Sequence, residues 1–290
     1  MFPDSSLPRY LPHLRQPQIL AMGLRPLDDD LWIETDELLP RFYAHKLRQR
    51  QLLGERCYQA LPHAADAAGE LAGTLRTHLL YEQPGVFEDT ASGLLFTPHQ
   101  LALPVTGAEP LWNCSLWVAD DLLLLQEVEG CYRLTAASLC SPGDWRLEDK
   151  IGQPLGAIHQ PVPGFERTLL PGVERFFRHL RSEHPVLRWN WSLQAGDALN
   201  ARGPRSQHVA AETPLFYRCE RQCLKRLPVT GAVVFSIRIY LHPLEALQRV
   251  AGAMPALFEA IATTPPALAS YKGFDRLALA LRKYAPEYTR

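Results

Sequence analysis

Residues 151–165 read IGQPLGAIHQPVPGF and set one imidazole, His159, among small and apolar neighbours just ahead of two prolines. Pro161 and Pro163 each fix φ at about −65° and disfavour the helical region at the residue before them, which predicts extended, restrained backbone after His159. A solvated surface histidine needs no such frame, whereas a ligand or a buried acid/base does. Arginines are the second reactive set. Arg188, Arg218, Arg221, Arg226 and Arg238 all fall in late segments with strand patterning. Arg226 reads as a solvated strand residue. Arg238 lies inside the apolar run VVFSIRIYL and therefore requires a partner, either Glu220 or the carboxylate of a ligand. Trp189 and Trp191 flank Asn190, so alternation puts both rings on one face, as a core layer or as a pocket wall.

The rest of the chain narrows the chemistry. No G-x-G-x-x-G, Walker loop, G-x-S-x-G elbow, H-E-x-x-H or four-cysteine cluster spacing is present. Cys219 and Cys223 form a lone C-x-x-x-C without the second pair a zinc site needs, and the six cysteines read as free thiols. His159 has no second histidine or carboxylate at chelating spacing. Two readings stay open for it: a buried structural histidine, or an axial ligand of haem, which needs one protein donor and an apolar pocket. The formal net charge of −1 gives no field that would attract nucleic acid. No apolar run is long enough to span a membrane, and the first residues lack a secretory pattern, so the expected compartment is the cytoplasm.

These residues must be positioned by a mixed set of elements. With 290 residues, 47% of them hydrophobic, the chain has enough material for a large core, and no linker or repeat divides it. Asp36 precedes a helical pattern through Leu39, Phe42, Tyr43 and Leu47, and residues 64–80 are rich in helix formers. Strand-like runs follow, with turn signals at Asp120-Asp121 and Glu129-Gly130. Val173, Phe176, Phe177 and Leu180 share one helix face, VLRWNWSL reads as a strand, and two long strands flank the turn PVTG. After Pro243 a single amphipathic helix is expected, running from Leu244 to Ile261, then a short terminal helix. The class is α+β, an antiparallel sheet with helices before, within and after it.

Taken together, KIGQPLGAIHQPVPGF, FFRHLRSEHPVLRWNWSL, RCERQCLKRLPVTGAVVFSIRIYLHPL, the late YKG and the early MGLRPLDDDLWIETDELL resemble the haem-dependent oxidative N-demethylase alpha-subunit-like family. The resemblance implies that residues 1–290 form one haem-binding PAS-like domain with helical extensions at both ends. It implies haem b, oxygen, a small secondary amine such as dimethylamine, and electrons from NADPH delivered by separate reductase or ferredoxin-type subunits carrying flavin and an iron–sulfur centre. His159 matches the family's ligand histidine, in the motif IH-x-PVP. Arg221 and Arg238 match its ERQ-x-L and F-x-IR arginines and are expected at the propionates or in the pocket structure, with Arg188 and Trp191 as further cofactor contacts. Glu220 and Tyr240 are the residues expected to place an alkylammonium, which calls for an acidic or aromatic pocket. The chain departs from the family pattern at Cys223 and Ile239, where threonine is common. The alternative function is a non-enzymatic haem-binding, PAS-like sensor or partner subunit, since fold does not decide function.

Overall fold

Seven antiparallel strands build the main sheet of the computed structural model, which describes residues 7–28, 31–203 and 209–284. Its members are β1 (Arg25–Pro26), β2 (Tyr58–Ala60), β6 (Asp121–Val128), β7 (Cys131–Ser138), β8 (Val186–Ala195), β9 (Leu215–Arg226) and β10 (Val233–Pro243). Their spatial order is β1-β8-β9-β10-β6-β7-β2. A separate three-stranded sheet joins β3 (Phe87–Thr90), β4 (Gly93–Phe96) and β5 (Leu101–Pro104). The β6–β7 hairpin closes through Glu129 and Gly130 at φ 52° and 76°. Two consecutive left-handed residues match the twist of the flanking strands, which explains the Glu-Gly pair at this turn. In the longer β9–β10 hairpin Val233 pairs with Arg226 and Pro243 with Phe216, while the other edge of β10 pairs with β6.

Helices cover both faces. Helices α1 (Leu39–Leu53), α2 (Ala65–Tyr81) and α3 (Pro110–Ser115) bury Phe42, Leu71, Leu75 and Leu111 against Leu122, Leu124 and Val234. The short helices α4 (Leu155–His159), α5 (Phe165–Thr168) and α6 (Leu170–His179) lie on the opposite face, where Leu155, Ile158 and Phe177 pack with Leu123, Leu125 and Leu224. Helices α7 (Ala253–Ala262), α8 (Pro266–Tyr271) and α9 (Phe274–Leu281) return to the first face, and Leu257, Phe274 and Leu277 cluster with Trp191, Tyr217 and Tyr240. The two faces are thus separated by strand alternation alone, because every second residue of β8, β9 and β10 points the same way. Five strands in the order β8-β9-β10-β6-β7, with α4 to α6 inserted between β7 and β8, are compatible with a PAS-like arrangement.

The α+β class and the late strands match the sequence reading, and three local expectations are corrected. The backbone after His159 is not extended: Gln160 is helical at ψ −36°, and the Val162 N–H donates to the His159 carbonyl at 2.8 Å. The preference against helix before proline is statistical, and here the last turn of α4 overrides it. The single helix expected after Pro243 breaks into a 3-10 turn (Leu244–Arg249) and α7, with Gly252 at φ 76° between them. Arg226 is not a solvated residue. Its guanidinium donates to the carbonyls of Leu180, Phe177 and Gly231 and to the Tyr132 hydroxyl, tying α6 to the hairpin end.

Candidate functional site

The face beneath α4 carries a polar floor on β8 and β9. Register places Arg188 opposite Gln222 and Asn190 opposite Glu220. The Glu220 carboxylate accepts from Asn190 Nδ2 at 3.1 Å and Gln222 Nε2 at 2.9 Å, while its other oxygen takes Arg218 Nε at 3.1 Å. Burial alone would raise the Glu220 pKa, but the Arg218 charge, the Asn190 hydrogen bond and nearby Lys272 outweigh it and hold the carboxyl below its ordinary value. Arg218 is fixed in turn by donating to Gln194 Oε1 at 3.3 Å and to the Leu199 carbonyl at 3.1 Å. Arg188 donates to the carbonyls of Met22 at 2.8 Å and Ala21 at 3.2 Å, and to Gln222.

Lys272, one residue past α8, reaches the edge of β8 and donates to Asn190 Oδ1 and to the Trp191 carbonyl, both at 3.0 Å. Burial pulls this amine down to about 8, partly opposed by Glu220. The strand edge that β1 leaves uncovered at Asn190 and Trp191 is therefore closed by a cation.

His159 ends α4 with its ring flat against Phe165, centroids 4.2 Å apart and planes 11° from parallel. Its Nδ1 lies 2.9 Å from the Leu155 carbonyl, one helical turn earlier. A carbonyl only accepts, so Nδ1 carries the proton and Nε2 keeps the lone pair. Burial pushes the imidazole down to about 4, with Arg188 and Lys150 adding to the effect, so the ring is neutral at pH 7. Trp145 stands edge-on to it, ring centroids 6.3 Å apart. Trp145 also lines a cavity of about 420 Å³, together with Ile158, Pro161, Tyr271 and the charged residues Asp144, Arg146, Asp149, Lys150 and Arg202. That size falls in the range of small-molecule sites. Among the described residues no three His, Cys, Asp or Glu side chains gather as a cage for a bare metal ion.

The sequence-derived candidates thus divide between the two faces. His159, Arg188 and Glu220 share one side of the sheet. Arg221, Arg238, Tyr240 and Trp191 point to the other, so the seven do not form one pocket. Arg238 does not pair with Glu220. It pairs with Asp36, through Nη2 at 2.8 and 2.7 Å from the two carboxylate oxygens. Arg221 donates to the Trp32 carbonyl at 3.0 Å and to the Leu31 carbonyl, and its Nε stands 3.1 Å from Glu34. Tyr240 and Tyr10 both donate to the Glu34 carboxylate. Trp191, 3% exposed, stacks between Tyr217 and Phe274. Cys223 accepts from Arg221 Nη1 at 3.1 Å, and Ile239 is buried.

Over residues 23–281 the chain matches the family described as haem-dependent oxidative N-demethylase, alpha subunit-like. It belongs to that family. The match takes in both faces of the sheet, the α4 histidine and the Lys272 segment. Sequence reasoning assigned no role to Lys272, Arg218 or Glu34, and read Asp36 only as a helix cap. For Lys272 the late YKG motif carried a signal, whereas Glu34 and Asp36 stood in WIETDELL as two acids opposite no visible charge. Among the described residues no helix is long and apolar enough to cross a membrane.

Proposed function

We propose that the chain is a haem b protein that oxidatively removes a methyl group from a small secondary amine, using oxygen and electrons passed from NADPH through a separate flavin and iron–sulfur partner. On this reading residues 1–290 act as a single PAS-like domain. The observation that carries it is the tautomer of His159: with Nδ1–H held by the Leu155 carbonyl, a neutral imidazole presents Nε2 as the donor nitrogen. The donor set fits the group, since haem asks the protein for one such nitrogen, apolar walls and cations for its two carboxylates. Ile158 and Trp145 supply apolar surface, and Arg146 and Lys150 supply cations beside Asp144 and Asp149, while Arg202 is held by Glu148.

Bound haem supplies the oxygen and one-electron chemistry. The chain's own residues do the rest. Phe165 and the Leu155 carbonyl fix the plane of the His159 ring. Glu220 stays ionised between Arg218, Asn190 and Gln222 and offers the negative charge that an alkylammonium seeks. Lys272 closes the edge of β8 beside it and limits water there. Arg221, Arg238 and Tyr240 brace the N-terminal segment on the far face instead of holding the cofactor.

The test combines a spectrum with turnover. Purified protein, as isolated or after haem addition, is expected to show a Soret band. With dimethylamine, oxygen and a chemical or protein reductant it is expected to release formaldehyde. A protein that takes up no haem in either redox state overturns the reading. One that binds haem but yields no formaldehyde from any secondary amine is a sensor or partner subunit.

A further inference from the structure

Directly behind the polar floor, on the other face of β8 and β9, lies an aromatic pair that the proposed chemistry does not use. Trp191 and Tyr217 stack with centroids 6.1 Å apart and planes 12° from parallel. The Tyr217 hydroxyl is 2.8 Å from Nδ1 of His13, and Nε2 of the same ring is 3.0 Å from the Ala253 carbonyl. The carbonyl only accepts, so Nε2 carries the proton and Nδ1 accepts from the phenol. Both partners are sealed from water, Tyr217 at 0% and His13 at 1% exposure. The indole N–H of Trp191 has no hydrogen-bond partner among the described residues.

We propose that Trp191, Tyr217 and His13 form a proton-coupled one-electron relay that carries oxidising equivalents away from the Asn190–Glu220 floor. A one-electron oxidant removes an electron from Trp191. With no acceptor for its N–H, the indole stays a radical cation. Tyr217 then gives one electron to Trp191 while its O–H bond breaks and the proton passes to Nδ1 of His13. The products are neutral Trp191, a neutral tyrosyl radical and a His13 imidazolium that still donates to Ala253. The floor and the relay are joined covalently and by hydrogen bonding. Asn190 and Trp191 are consecutive, and Lys272 Nζ holds the side chain of one and the carbonyl of the other.

The neighbouring tyrosines are poorer candidates on charge. Arg238 and Arg9 lie over the Tyr240 ring at 5.3 and 5.7 Å, and Arg9 also lies over Tyr10 at 5.6 Å. A cation facing the ring opposes removal of an electron from it. The acceptor those tyrosines share, Glu34, is already paired with Arg221 and Arg9. Neither Trp191 nor Tyr217 has such a cation among the ring contacts of the described residues.

As a source of oxidant in the cell this rests on the proposed haem function, so the experiment has two arms. In the first, haem-free protein is oxidised by photogenerated tris(bipyridine)ruthenium(III). In the second, haem-loaded protein is treated with hydrogen peroxide. Freeze-trapped samples are read by high-field EPR and by electron–nuclear double resonance on chain grown with isotope-labelled histidine. A tyrosyl signal coupled to a histidine nitrogen is expected in the first arm. It should be lost in Tyr217→Phe and in His13→Gln, which accepts the hydrogen bond but not the proton, and retained in Tyr240→Phe. The absence of any histidine-coupled tyrosyl in the wild-type chain overturns the proposal, as does its persistence in Tyr217→Phe. A signal in the ruthenium arm alone supports the relay and counts against haem as its oxidant.

Discussion

The Nδ1–H of His159 donates to the carbonyl of Leu155 at 2.9 Å, across one turn of α4. The helix thereby chooses which nitrogen of the ring is free. That choice rests on main chain, not on a side chain that mutation could remove, and it leads directly to the first test. His159→Ala is expected to fold, to bind haem more weakly and to shift the Soret band, with partial recovery on adding imidazole. His242→Ala is the matched control. His242 lies on the opposite face of the sheet, where Nε2 is 3.4 Å from the Arg9 amide, and its loss should leave the spectrum unchanged. The reverse pattern in the two spectra would refute the assignment.

Stability in acid is expected to report the same ring. In the folded chain burial lowers the His159 pKa to about 4, below its unfolded value, so the unfolded chain binds the proton first. The contribution is fully present above about pH 6.5 and is lost as pH falls from there toward 4. At about 1.4 kcal/mol per unit the upper limit is about 3 kcal/mol. Urea midpoints of haem-free wild type should therefore fall more between pH 7 and pH 5 than those of His159→Gln. Parallel curves for the two proteins would contradict this account.

Arg238 and Asp36 should behave as a structural pair. Removing one partner leaves a buried charge, so Arg238→Gln and Asp36→Asn are each expected to cost about 3–5 kcal/mol, with the double variant costing less than the sum. Haem bound per folded molecule should not change. A selective loss of haem from a stably folded Arg238→Gln would return this arginine to the cofactor.

Glu220→Gln addresses the amine. The substitution keeps the size of the side chain, deletes the charge facing the alkylammonium and turns one of two acceptor oxygens into a donor beside Arg218 or Asn190 and Gln222. The expected loss in kcat/KM is about 1.5–3 kcal/mol, roughly 10- to 150-fold, with haem content intact. An unchanged kcat/KM for dimethylamine would place the ammonium elsewhere.

Electron entry gives the last test. The chain carries no dinucleotide or cluster motif, so stoichiometric NADPH is expected to reduce bound haem only after a flavin and iron–sulfur partner is added. Rapid reduction by NADPH alone, followed in the visible spectrum, would contradict it.

Period-2 alternation made β8 to β10 legible, and with them the side to which each arginine and tryptophan points. Alternation states which residues share a face but not what covers that face. Arg221 and Arg238 therefore looked like partners for an anion, because the carboxylates that reach them, Glu34 and Asp36, lie about two hundred residues earlier. Lys272 was hidden for the same reason: its two acceptors belong to β8, and no local pattern announces a lysine that folds back over a strand edge. The turn at Glu129-Gly130 was visible because its chemistry is local. The helical Gln160 was not, because the proline rule is a preference that tertiary packing around α4 reverses.

The central place of β10 has a consequence for synthesis. Asp121 lies against Ile237 and Leu125 against Val233, so the innermost seam of the sheet cannot close until residues far toward the C-terminus have left the ribosome. Until then the β6–β7 hairpin presents an unpaired inner edge, and the Asp36 carboxylate waits for the Arg238 guanidinium, not yet made. Such long-range closure slows folding and exposes strand edges to the wrong partners. Pausing or truncation before β10 is expected to deliver the chain to chaperones and proteases.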